Sequence, residues 1–261
     1  MRQNLHFEQR SDGWLNQRKG RVTASAIGAI MGYNPYSKRE DEMMRMLEIG
    51  KKFEGNAATE WGTFNEAGAL VEFEMETGLQ VEPAFFVEFE EWLGASPDGY
   101  VSDGRLIEIK CPYGLRNGGE FKSIHDQMHY YAQIQCQLFC TNLQECYIYQ
   151  WSPSGTKLEI VKRDESFIKD MLIEARNFYE EYLLRKDKIL MIKERLNIVE
   201  NITGTKYKKR IDIEDRASKL NDENFNIVIE KIDNAIKNNV SKNLNISVSS
   251  IISFAYDKQN V

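Results

Sequence analysis

The sequence predicts a mixed α/β fold, a central mixed sheet flanked by helices, with a helical appendage at its C-terminal end. Three observations predict it. Helix-period segments fill the chain before residue 78; short Val-, Phe- and Ile-rich segments punctuated by turns fill 79–111; and helical patterning returns from about 124. With 261 residues, 42% hydrophobic and 28% charged, the chain has enough apolar material for a sizeable core and is not of disordered composition.

Taken in order, Thr23 and Ser25 precede the apolar stretch Ala26-Ile27-Gly28-Ala29-Ile30-Met31, which Gly32 ends, so a short capped helix is expected. Asn34-Pro35-Tyr36 reads as a turn, and Ser37-Lys38-Arg39-Glu40 has the spacing of a capping box opening a helix to about Ile49. A longer helix is expected over 56–77, stopped by Gly78. Leu79 to Phe89, Trp92 to Ala95, Tyr100-Val101 and Arg105 to Cys111 read as strands of one antiparallel meander, with turns at Ser96-Pro97-Asp98-Gly99 and Ser102-Asp103-Gly104. A helix from Ile124 to Cys140 precedes strands at Glu145–Trp151 and Lys157–Lys162, joined through Pro153-Ser154-Gly155; a charged helix then runs from Glu165 into the 190s. Near residue 201 the composition shifts to Asn, Lys, Ile and Ser. The chain is therefore read as a main domain over 1–200 and an extension over 201–261, with helices near 212–220 and 223–238 and a Ser/Ile-rich tail.

Composition excludes several classes. No apolar run approaches a membrane span. The start, Met-Arg-Gln-Asn-Leu-His, lacks the apolar stretch of a secretory signal, which points to the cytoplasm. There Cys111, Cys136, Cys140 and Cys146 are expected as reduced thiols. No glycine-rich phosphate loop is present, and His6, His125 and His129 read as ordinary surface residues, so neither ATP use nor a Ser-His-Asp site is expected. The formal charge of −6 disfavours a nonspecific nucleic-acid coat, yet it is unevenly spread. Residues 1–30 carry five Arg/Lys against two acids, a net of +3; residues 59–108 carry twelve acids against Arg105, a net of −11. A basic segment beside an acidic one suits joint binding of phosphate and divalent metal, and equally a solvated acidic surface.

The segment with chemical content is Asp98 followed by Glu108-Ile109-Lys110. Side chains alternate along a strand, so Glu108 and Lys110 share a face, and Asp98 reaches that face if the two strands pair. Leu106, Ile107 and Ile109 mark a buried strand, where unpaired charge is costly. Two carboxylates suit a hard divalent cation that takes the rest of its shell from water or phosphate; a lysine beside them can position water or steady developing negative charge. Read alone, the same residues also describe a solvated strand face and an ordinary Pro-Asp-Gly turn.

Ser96-Pro97-Asp98-Gly99 with Leu106-Ile107-Glu108-Ile109-Lys110-Cys111-Pro112 resembles the core of the bacteriophage lambda exonuclease family, the YqaJ-like viral recombinases, within the PD-(D/E)xK nuclease superfamily. Three further segments resemble that family in matching order, so the likeness covers roughly 14–165. They are Trp14-Leu15 with Arg18, Gly20 and Val22-Thr23-Ala24-Ser25; Trp61-Gly62 with Glu66; and Tyr130 with Ala132, Gln133 and Gln135.

The resemblance implies a restriction-endonuclease-like core and a Mg²⁺-dependent exonuclease (Mn²⁺ substituting) that degrades double-stranded DNA from its ends, 5′→3′, releasing mononucleotides and leaving 3′ single strands. It implies that Asp98, Glu108 and the Ile109 carbonyl hold the metal with help from Glu66. Lys110 would position or activate water, and Gln133 would orient either. It also implies that Arg18, Thr23 and Ser25 grip a terminal 5′-phosphate, with Arg116 a further DNA contact. The planar fork of Arg18 suits bidentate phosphate binding, while Ser25 is equally a helix cap. Beyond the chain, it implies a ring-shaped homotrimer, a single-strand-annealing recombinase as partner, no membrane, and the cytoplasm of a bacterium or phage-infected host cell.

Two readings compete. One is a nuclease of the iron–sulfur branch associated with CRISPR adaptation and helicases; Cys111 directly after Lys110 does not fit that branch's ligand spacing. The other is a catalytically inactive DNA-binding module, against which stand Asp98, Glu108 and Lys110, each of the expected type at its expected place.

Overall fold

The computed structural model describes residues 7, 9–49, 54–204, 206–238 and 244–260; His6 lies outside them. The chain divides into two compact units, Met1–Met46 with Lys52–Tyr179, and Leu47–Lys51 with Glu180–Val261. That division falls inside a helix, some twenty residues before the compositional shift near 201.

In the first unit, helix α1 (Asp12–Arg18) leads through strand β1 (Val22–Thr23) into α2 (Ala24–Ile30), followed by α3 (Arg39–Met46) and α4 (Ala57–Thr77). Asn56 caps α4: its Oδ1 accepts from the Ala58 and Thr59 N–H groups while Thr59 Oγ1 accepts from its own N–H. Gly78, at φ 69°, ends the helix in the left-handed region that a side chain would strain.

Six strands follow, β2 (Val81–Pro83), β3 (Val87–Phe89), β4 (Leu93–Ala95), β5 (Gly99–Val101), β6 (Leu106–Lys110) and, after helix α5 (Met128–Thr141), β7 (Glu145–Ser152); β8 (Gly155–Lys162) completes the set. They form two sheets, β1-β4-β3 and β2-β5-β6-β7-β8. In the larger sheet β6 and β7 run parallel and the other neighbours antiparallel, so the predicted mixed sheet is found.

The single meander expected over 79–111 is not. Leu79–Phe89 is two strands in different sheets: β2 pairs with β5, and β3 with β4. Pro83 has no N–H to extend the ladder with β5. Three residues on, Phe86 lies over Gly94, where any Cβ would come within 2.2 Å of its ring. That contact seats β3 against β4, a partner that strand periodicity cannot foresee.

Strand β6 separates two apolar layers. Ile107 and Ile109 pack with Phe73 of α4, Tyr147 and Tyr149; Leu106, on the other face, packs with Ile134 and Leu138 of α5 and Ile148 of β7. All five β6 residues except Lys110 are buried, as a strand covered on both faces requires. Helix α6 (Glu165–Thr203) begins in this unit and continues into the second.

In the second unit α7 (Arg210–Ser218), α8 (Asp222–Lys237) and α9 (Leu244–Gln259) close a helical core with the later part of α6, around Leu196, Val199, Ile213, Phe225, Val228 and Ile252. The segment read as a Ser/Ile-rich tail is therefore a third helix, whose Val248 and Ile252 are buried one turn apart. Arg210, the last residue of the basic run, is committed to Glu200 and Glu214 at 3.1 and 2.8 Å.

Candidate active site

Asp98 stands at the mouth of β5, where Gly99 is required: a Cβ there would meet Val81 Cγ1 at 2.3 Å and the Glu82 carbonyl at 3.0 Å. This close approach holds the Pro-Asp-Gly turn to the sheet. The Asp98 N–H donates to the Ile107 carbonyl (3.2 Å), and Asp98 Oδ2 accepts from the Ile109 N–H (2.7 Å). The turn thus delivers the carboxylate to the strand carrying Glu108 and Lys110, as alternation predicts.

Glu108 points into the layer between β6 and α5, with a side chain only 3% exposed. Its Oε1 accepts from Lys110 Nζ (2.6 Å) and Gln133 Nε2 (2.5 Å), and its Oε2 from Gln137 Nε2 (2.7 Å). Lys110 Nζ also donates to Gln133 Oε1 at 3.3 Å and lies 4.7 Å above the Tyr130 ring. Tyr130, Gln133 and Gln137 share one face of α5 through their 3- and 4-residue spacing. A buried carboxylate held by three donors is well compensated. Gln137 is itself fully buried and its Oε1 finds no partner among the described residues.

Charge in this layer is not balanced at Asp98. Burial, and next the neighbouring Glu108, push its carboxyl well above the usual carboxylate range, with Glu66 adding to the effect and Lys110 and the Ile109 N–H opposing it. Burial by itself would lower Lys110, but Glu108, then Tyr130 and Asp98, hold the ammonium above its ordinary value. The lysine is therefore a fixed positive charge at neutral pH. The Cys111 thiol is pushed up to about 12 by burial, then by Glu66 and Asp98. The excess of negative charge around Asp98 is what a cation-binding pair needs, and Asp98 and Glu108 fit a divalent ion in their donor chemistry.

Glu66 projects toward these acids from α4 but is drawn to Arg10 Nη2 at 2.6 Å. Among the described residues no three His, Cys, Asp or Glu side chains group closely enough to hold a metal by themselves. Asp98 and Glu108 would need backbone, water or phosphate oxygens to complete a shell. All four cysteines are free thiols, without the converging arrangement an iron–sulfur cluster requires.

The N-terminal motif forms a second cluster that reaches the first. Arg18 stacks on the Trp14 ring at 4.1 Å and donates through Nη1 to Ser96 Oγ (3.3 Å) and through Nη2 to Ser25 Oγ (3.2 Å). Trp14 Nε1 donates to the same Ser96 Oγ at 2.9 Å. Thr23 Oγ1 lies 3.3 Å from Ser25 Oγ. The expected side-chain cap on α2 is absent: Thr23 stands at the N-cap position but makes no cap hydrogen bond, because its hydroxyl turns to Ser25 instead. Burial, then Arg45, pushes Arg18 down to about 10, which leaves it charged at neutral pH.

The structure therefore brings Asp98, Glu108, Lys110 and Gln133 together, and Arg18, Thr23 and Ser25 together. Ser96, two residues before Asp98, joins the two groups. Arg116 is folded back onto its own turn, stacked 3.9 Å over Tyr113 and donating to its carbonyl at 2.9 Å. Ser96, Gln137 and Arg10 escaped sequence reasoning as site residues, since each takes its place through a contact 29 or more positions away. The spacing of Gln137 from Gln133 was the one available signal.

A mixed sheet that brings two acids and a lysine together under a glutamine-bearing helix is a fold of the nuclease class. The chain belongs to the YqaJ-like viral recombinase domain family, whose model matches residues 13–144. Its fold is similar to that of an alkaline exonuclease, LHK-Exo, from Laribacter hongkongensis: TM-score 0.58, 27% identity, covering 71% of this chain and all of that one. The same enzyme in complex with dAMP matches at TM-score 0.59 with equal identity and coverage. A curated relative, an uncharacterized protein of Acanthamoeba polyphaga mimivirus, is 27% identical over 179 residues, 63% of this chain. The match spans about a third (32%) of that protein's length.

Proposed function

We propose that the chain is a metal-dependent deoxyribonuclease that degrades double-stranded DNA from its ends in the 5′→3′ direction, releasing mononucleotides and leaving 3′ single strands. The observation that carries this reading is the convergence of Asp98, Glu108 and Lys110 under Gln133 and Gln137. Family membership and the likeness to an alkaline exonuclease support it, as does that enzyme's complex with a mononucleotide.

In mechanism, Asp98, Glu108 and the Ile109 carbonyl would hold Mg²⁺, or Mn²⁺ in its place, with Glu66 contributing once it leaves Arg10. The bound ion would supply Lewis-acid polarisation of the phosphoryl group and a more acidic water. Lys110, its ammonium favoured by Glu108, would position or activate the attacking water or steady the negative charge growing on the phosphoryl oxygens. Gln133, bonded to both Lys110 and Glu108, fixes the ammonium's position. Gln137 donates to the other Glu108 oxygen and helps to orient the acid.

End-specificity follows from the Arg18–Ser25–Thr23 cluster, whose fork and hydroxyls suit a terminal phosphate, and from Ser96, which ties that cluster to the Asp98 turn. A homotrimeric ring around duplex DNA and an annealing recombinase as partner complete the proposal. A ring confines the positive charge it needs to its inner wall, which reconciles DNA binding with a net charge of −6. No helix among the described residues is long and apolar enough to cross a membrane.

Digestion of linear duplex labelled separately at its 5′ and 3′ ends, with and without Mg²⁺, tests the activity. Metal-dependent loss of the 5′ label as mononucleotide is expected. Closed circular duplex cut as fast as linear 5′-phosphorylated duplex would overturn end-specificity, and a monomer by light scattering would overturn the ring.

A further inference from the structure

We infer that Tyr36, buttressed by His129, forms a stacking platform for a nucleobase beside the cleavage site. This inference rests on the nuclease reading and adds a base-binding subsite to it.

The observation is a continuous aromatic path from the candidate catalytic ammonium to solvent. Lys110 Nζ sits 4.7 Å over the Tyr130 ring, Tyr130 lies 4.0 Å from the His129 ring, and the His129 and Tyr36 rings meet T-shaped, centroids 6.2 Å apart and planes at 81°. Tyr36 is 86% exposed, so its ring is open to a ligand.

Its place is nevertheless built. The Tyr33 and Asn34 N–H groups both donate to the Gly28 carbonyl (2.8 and 2.9 Å), which fastens the turn to the end of α2. The Tyr36 N–H donates to Asn34 Oδ1 at 2.8 Å, and Pro35 between them fixes its own φ. His129 is clamped as well. Its backbone lies so close to Gly28 that a Cβ there would come within 2.8 Å of the His129 Cα. The His129 Nε2 is buried with no partner among the described residues.

The same short helix carries the phosphate-binding candidate and the platform. Ser25 lies one turn before Gly28 on α2, so Arg18 and Ser25 stand at one end and the Tyr36 turn at the other. Tyr130 and His129 link this turn to Lys110. A nucleotide whose phosphate faces the acids can therefore lay its base on Tyr36. Every base has a π face, so the platform contributes hold without sequence preference, as an exonuclease moving along arbitrary sequence needs.

The test compares wild type, Tyr36→Ala and Tyr36→Phe on 5′-phosphorylated duplexes that carry either a normal or an abasic nucleotide at the 5′-terminal positions. Affinity is read by anisotropy with Ca²⁺ replacing Mg²⁺, and KM and kcat are read with Mg²⁺. Stacking at this subsite predicts about tenfold weaker binding and a raised KM for Tyr36→Ala. It also predicts an equal loss for wild type on the abasic end, little further loss when the two are combined, and near-normal behaviour of Tyr36→Phe. Independent, multiplying losses, or a Tyr36→Ala variant that binds as wild type, would overturn the platform while leaving the nuclease intact. A Tyr36→Ala effect confined to the oligomeric state would overturn it too. Wild-type protein that neither binds nor degrades any duplex end would instead sink the nuclease reading, and the platform with it.

Discussion

Asp98→Asn separates the chemical demand on this carboxylate from its structural one. The substitution keeps an oxygen to accept the Ile109 N–H, now at 2.7 Å, and removes the charge that burial and Glu108 oppose. Two like charges in one buried cluster at an effective dielectric of about 20 repel by roughly a few kcal/mol, and Lys110 returns part of this, leaving about 1–2 kcal/mol. For a unit of this size that corresponds to a melting temperature roughly 2–8 °C higher in the metal-free variant.

The pH dependence fixes the sign. A carboxyl whose folded pKa is raised contributes stability below its unfolded value and loses it as pH rises through the folded value. The variant's advantage should therefore be absent near pH 4 and grow toward pH 8. Thermal melts in EDTA and in Mg²⁺ at both pH values, alongside digestion assays, read all of this. The expected pattern is a variant that is more stable in EDTA at pH 8, gains little from Mg²⁺, and has lost at least about a thousandfold in activity. A variant that melts below wild type in EDTA would refute the reasoning: Asp98 would then be a satisfied structural acceptor and not a charge awaiting a cation.

Lys110→Met should lower kcat about a hundredfold or more with little change in KM, and should leave duplex binding in Ca²⁺ intact. Gln137→Leu deprives Glu108 Oε2 of its donor and should cost about 1–3 kcal/mol in urea denaturation, since a buried acceptor loses its partner. Arg18→Lys should erase the preference for 5′-phosphorylated over 5′-hydroxyl ends, measured as a ratio of kcat/KM, because a point charge cannot reproduce the bidentate fork. The Cys111 thiol, pushed up to about 12, should resist iodoacetamide at pH 8 in the folded protein and react once urea unfolds it.

How far the site could be read from the sequence depends on the range of each contact. Glu108 and Lys110 share a face because strand alternation is local, and Asp98 joins them because a hairpin-like return is also local. Tyr130, Gln133 and Gln137 align by helical spacing. Glu66 was legible as a helical acid, but its pairing with Arg10, 56 residues away, was not. The split of Leu79–Phe89 between two sheets hinges on Phe86 finding Gly94, a matter of tertiary packing that no local pattern encodes. The helix at 244–259 was hidden because Ser and Asn dilute its apolar period.

The pairing of β1 with β4 brings Val22 opposite Leu93, and Trp14 to Ser96 across 82 positions. Glu108 gains its two glutamine donors only when α5 docks, and β6 is covered only when Ile148 of β7 arrives beside it. Contacts so distant in sequence form late, after loop closure has been overcome. A chain emerging from the ribosome thus displays its acids, its lysine and its arginine long before they can meet. The proposed site is complete only in the finished fold, so an incomplete chain carries its parts without their arrangement.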